Sequence, residues 1–204
     1  LDDVDFLELS SSFSFAISKN KLFFWGKSWM VFSKEEHMHS SEPMEIKPDS
    51  TFSKFYQVYA LRHRQVVSTD NGLYIHKFHN RKSIFTKIDI PNGLEVVDFK
   101  CDDCSVFLLL NDTNGVVRFY RYMIDKKELK SYDDLDLVKP KIYANQDYCF
   151  VLNDFVDGSQ KIYKIGNKSS RGRKLEEEVV LLPLSKSKIV EIIFDKEMHN
   201  VYEN

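Results

Sequence analysis

Glycine and cysteine are scarce in this chain, with seven and three residues among 204. An odd set of cysteines, Cys101, Cys104 and Cys149, does not make the even framework of a small disulfide scaffold, and it fits a reducing compartment better. There is no Gly-rich phosphate loop, no nucleophile elbow and no paired-histidine zinc motif, and scattered Asp and Glu define no acid–base pair. No catalytic residue, cofactor or metal is therefore assigned, and the chain reads as a non-enzyme. Apolar runs such as Val106 to Leu110 fall far short of the roughly 18 to 20 residues that span a bilayer. The start, Leu1-Asp2-Asp3-Val4-Asp5, lacks the basic and apolar character of a signal peptide. These absences predict a soluble intracellular protein, cytoplasmic or nuclear, with no membrane partner. An excess of one charge is missing too: 29 basic against 31 acidic residues leave a formal net charge of -2 and no global pull toward nucleic acid.

Aromatic side chains are plentiful. Sixteen Phe and ten Tyr cluster with Val and Ile in short runs, a pattern that predicts strands rather than long amphipathic helices. Four units share one layout of strand, polar turn and strand. Phe13 to Ile17 and Leu22 to Gly26 flank Ser18 to Lys21; Gln65 to Ser68 and Leu73 to Ile75 flank Thr69 to Gly72. Val106 to Leu110 and Val116 to Tyr120 flank Asn111 to Gly115, and Cys149 to Leu152 and Lys161 to Tyr163 flank Asn153 to Gly158. Equivalent positions Phe23, Tyr74, Phe119 and Tyr163 lie about 51, 45 and 44 residues apart, the length of a propeller blade.

Leu94 to Phe99 supplies a preceding strand and Ser83 to Ile88 a fourth, while a small helix is expected near Lys126 to Lys130. A β-sandwich or barrel uses the same strands and turns, but recurrence of the whole unit favours an all-β propeller of antiparallel blades. Residues 1–204 are expected to form a single repeat domain, with about four repeats and the start of a fifth at Ile189 to Val201.

Ser14-Phe15-Ala16-Ile17-Ser18-Lys19-Asn20-Lys21-Leu22-Phe23-Phe24-Trp25-Gly26 resembles a repeat of the regulator of chromosome condensation family, whose units run from His-Ser through a strand and a turn to Tyr-x-Trp-Gly. Thr86 to Pro91 followed by Val96 to Cys101 looks like the opening of another such repeat, with Cys101 in the place of the family's Cys, and Ile162 to Asn167 resembles its close. His63 and His199 fall near the family's His position, which Ser105 and Asp147 occupy in the other units; the plain alternative is that all four satisfy backbone groups at blade junctions. Rings of that family commonly hold seven blades, so the resemblance implies a partial ring or a piece of a larger propeller, with strand edges for a partner to cover. It also implies an alternative function, nucleotide exchange on a small GTPase.

The leading expectation is a non-catalytic protein-interaction module, a scaffold or complex subunit, with Trp29 and Tyr122 as aromatic anchors. Lys168-Ser169-Ser170-Arg171-Gly172-Arg173-Lys174 concentrates four positive charges, Lys168, Arg171, Arg173 and Lys174, and suits an acidic protein surface, chromatin or nucleic acid; a solvated loop beside Glu176 to Glu178 is the plain alternative. Cys101-Asp102-Asp103-Cys104 has the spacing of half a zinc site without its second pair. His37-Met38-His39, next to Glu35 and Glu36, reads either as two imidazoles on one strand face or as a polar loop.

Overall fold

The computed structural model describes residues 3–9, 13–28, 38–61, 64–79, 82–102, 104–144, 148–167 and 177–182. Among them there are sixteen strands and no helix. The first sheet joins β1 (Val4–Leu9), β2 (Phe13–Ser18), β3 (Lys21–Ser28) and β4 (Met38–Ile46); the second joins β5 (Phe55–Leu61), β6 (Arg64–Thr69), β7 (Gly72–His79) and β8 (Lys82–Lys87). The third joins β9 (Glu95–Cys101), β10 (Ser105–Asn111), β11 (Val117–Met123) and β12 (Glu128–Ser131); the fourth joins β13 (Lys139–Ala144), β14 (Tyr148–Asp154), β15 (Gln160–Asn167) and β16 (Glu177–Leu182). Every neighbouring pair is antiparallel and in chain order, so each sheet is a propeller blade. The chain forms two compact units, Leu1–Asp89 with the first two blades and Ile90–Asn204 with the other two.

The four hairpins read from sequence are the two central strands of each blade, and the runs from Leu94 and Ser83 become β9 and β8. Burial explains why the central strands were the most legible. Residues Ser105 to Leu110 of β10 are all buried, whereas the outer strands β8 and β12 alternate between exposed and half-buried side chains. The helix expected near Lys126 to Lys130 is instead a turn leading into β12. Met123 pairs with Glu128, so the chain reverses within 124–127, and Lys127 takes a left-handed φ of 54°. Ile189 to Val201 lies outside the described residues.

Each unit has its own apolar core. In the first, Phe13, Phe15 and Phe24 from one blade meet Phe55, Tyr74 and Phe78 from the other, with Phe24 and Phe78 ring centroids 5.1 Å apart. In the second, Phe107 and Phe119 pack with Ile142, Val151 and Ile165.

The hairpins differ between the units in a way that follows from their turn residues. Ser18 pairs with Lys21 across Lys19-Asn20, both at positive φ, the geometry of a type I′ turn. Thr69 pairs with Gly72, and there only Gly72 is left-handed, at +107°; Asn71 of the Asn-Gly pair is not. In the second unit the turns are longer and alike. Asp112 and Phe155 each donate their N–H to the carbonyl four residues on, and accept from Gly115 and Gly158 three residues on.

Candidate functional site

Three of the four first strands carry a β-bulge near their start. On β1 the register passes from Val4↔Ser18 to Phe6↔Ile17, leaving Asp5 as the extra residue; on β5 it passes from Phe55↔Thr69 to Gln57↔Ser68, leaving Tyr56. On β9 the partners of Leu110 and Leu109 are Val96 and Asp98, leaving Val97. A bulge inserts one residue and redirects the side chains that follow it. Tyr56 is thereby 46% exposed and Val97 52% exposed, although each follows an apolar neighbour in sequence.

On β1 the redirection has a second effect. Residues 4 and 7 of a regular strand point to opposite faces, but the extra residue brings Val4, Leu7 and Leu9 onto one face, opposite Ser18, Ala16 and Ser14. Phe6, opposite Ile17, packs against the core of the unit instead. Leu7 and Leu9 are left 52% and 54% exposed. Asp5, the bulged residue, accepts the backbone N–H of Lys19 at 3.0 Å, so the strand start is tied to the type I′ turn.

The starts of β5 and β13 are held in a related way. Asp70 accepts the N–H groups of Ser53 and Lys54 at 2.9 and 3.1 Å and the hydroxyl of Ser53 at 2.6 Å. The Ser53 hydroxyl is the main reason that its carboxyl lies at about 2, well below the usual range. In the fourth blade Asn153 accepts from Val138 and Lys139 at 2.8 and 3.1 Å and donates to the Asp136 carbonyl at 2.9 Å. An amide and a carboxylate thus perform one task, fixing the loop that delivers the first strand.

At the other end of the third blade lies a buried polar cluster. Asp102 accepts the backbone N–H groups of Cys104 and Ser105, and Arg121 donates through Nε to Ser105 Oγ at 2.8 Å while its guanidinium lies 5.6 Å from the Phe107 ring. Ser105 therefore accepts from a buried cation and helps to close a turn. Burial, reinforced by the Asp102 carboxylate, pushes the Cys149 thiol well above its ordinary range, which keeps it protonated and unreactive. Burial also raises Asp98, against the opposing pull of Lys100 3.5 Å away. Asp102, Ser105 and Arg121 join the end of β9 to β10 and β11, and the buried Cys149 thiol is not an activated nucleophile.

Tyr122, expected as an anchor, is 3% exposed on β11, with Val106 and Leu129 as its cross-strand partners, so its ring is internal rather than displayed. Trp29, Lys168, Arg171, Arg173 and Lys174 lie outside the described residues, as do His37, His63, Asp147 and His199. Cys101 is buried and Cys104 exposed, so the two face different surroundings, and no group of three metal-ligating side chains gathers among the described residues. No helix among the described residues is long and apolar enough to cross a membrane. No family model matches the chain, and no curated protein matches it.

The residues that sequence reasoning missed are Leu7, Leu9, Tyr56 and Val97. A signal was present in the apolar doublets Phe55-Tyr56 and Val96-Val97, where a half-buried strand calls for alternation.

Proposed function

We propose that the protein is a non-catalytic interaction module that binds a protein partner through side chains displayed on its first strands. The observation that supports this reading is the repeated bulge: the same distortion recurs in three blades and leaves Tyr56 or Val97 outward where a core side chain is expected. Within the first unit Tyr56, Leu7 and Leu9 belong to β1 and β5, two strands in contact. A rigid backbone carrying an exposed tyrosine and two leucines has the composition of an interface centre, where a few aromatic and aliphatic anchors carry most of the affinity. Fixation of the strand starts by Asp5 and Asp70 reduces the ordering cost of binding.

The test is partner capture from extract, with light scattering on the same sample to read mass. Binding by the wild-type chain is expected to fall by about thirtyfold for Tyr56→Ala, the equivalent of ~2 kcal/mol at an anchor, and to disappear for Leu7→Glu with Leu9→Glu. The melting temperatures should stay near wild type, because all three side chains are about half exposed. Undiminished capture by both variants would refute this surface as the contact.

A further inference from the structure

We propose that His76 makes the first unit acid-sensitive: uptake of one proton by this imidazole opens the packing between its two blades. His76 lies on β7 between Gln65 of β6 and Phe85 of β8, in the face that meets the first blade. Its ring centroid is 4.7 Å from that of Phe78 and 4.8 Å from that of Phe85, and Phe15 of the opposite blade approaches it edge-on at 6.4 Å. The residue is fully buried, and neither ring nitrogen has a hydrogen-bond partner. A neutral imidazole is tolerated among phenyl rings at the cost of two unmet polar atoms. An imidazolium there has two N–H donors and a full charge, and of the two residues directly opposite it, Phe85 offers no acceptor and Gln65 only a neutral amide that cannot balance the charge.

The surrounding strands offer no counter-charge that changes this. Strand β2 carries no ionisable residue, and Glu8 of β1 stands opposite Phe15. Lys77 and His79 on β7, Lys82 and Lys87 on β8 and Lys21 on β3 are exposed, and Arg64 begins β6. None contributes to the displacement of His76, which burial alone lowers from 6.5 to about 3. With the packed value below the unfolded one, the opened chain binds a proton that the packed chain refuses. Stability from this group is complete above pH 6.5 and is lost as pH falls toward 3. Relative to pH 8, the folding equilibrium constant drops by about tenfold at pH 5.5 and about a hundredfold at pH 4.5 through His76 alone.

The test is urea unfolding of the full chain from pH 8 to pH 4.5, comparing wild type with His76→Leu. Leucine removes the proton site and keeps an apolar side chain, so the wild type should lose about tenfold more in its folding constant between pH 8 and 5.5 than the variant does. Parallel pH profiles for the two proteins overturn the proposal. Should His76→Leu fail to fold, the wild-type imidazole resonance decides. A ring that stays neutral to pH 4.5 in the folded protein, with amide exchange in β2 and β7 accelerating together on acidification, supports it. Titration near 6.5 in an intact fold, or acceleration in β7 with none in β2, overturns it.

Discussion

Arg121 is a buried cation of the second unit that donates to the Ser105 hydroxyl and lies beside the Phe107 ring, which makes it a sensitive probe of the cluster around Ser105. Replacing it with methionine keeps most of the side-chain volume but removes a charge-assisted hydrogen bond and the contact with Phe107. Arg121→Met is expected to cost about 2 to 4 kcal/mol in chemical denaturation. The same environment predicts the order of thiol reactivity. In the native protein a maleimide should label Cys104 and spare Cys101 and Cys149, and denaturant should expose all three. None of this was legible from composition. The Cys-x-x-Cys spacing does not say which thiol is accessible, whereas Cys101 belongs to strand β9 and Cys104 to the turn after it, so one side chain is buried and the other is not. Tyr122 misled for a similar reason, since exposure is a property of the pairing and not of the residue type.

At the scale of the element, local chemistry decided the turns and was readable in advance. The turn at Thr69 to Gly72 closes because glycine can adopt φ = +107°, a region costly to a residue with a Cβ. Space is not the obstacle there, as a Cβ would meet only the end of Lys87 at 3.5 Å. Gly72→Ala should therefore destabilise the second blade by about 1 to 2 kcal/mol through backbone strain, seen as a lower denaturant midpoint with an unchanged slope. The strands themselves followed from apolar runs, and the central ones most clearly, because burial on both faces removes the need for alternation. The bulges did not follow. A doublet such as Val96-Val97 reads equally as a buried strand, and only the pairing register shows that Val97 is the residue left over. After Met123, lysine and glutamate favour helix weakly, and a hairpin closing within 124–127 overrides that preference.

For the whole molecule, the separate cores imply that a cavity made in one unit is felt there first. Phe24 anchors the first core and Phe119 the second, both fully buried. Truncation of either to alanine is expected to cost about 3 to 5 kcal/mol. Native-state hydrogen exchange should show protection lost mainly within residues 3–89 for Phe24→Ala and mainly from 90 onward for Phe119→Ala. What the sequence by itself determined was the all-β class, the central hairpins and the blade period, because these rest on contacts between residues near in the chain. Which side chains would be internal and which displayed was decided only by the tertiary structure. That choice depends on strand register and on which face meets a neighbouring blade: a single inserted residue turns Tyr56 outward, while an approaching Phe15 closes over His76.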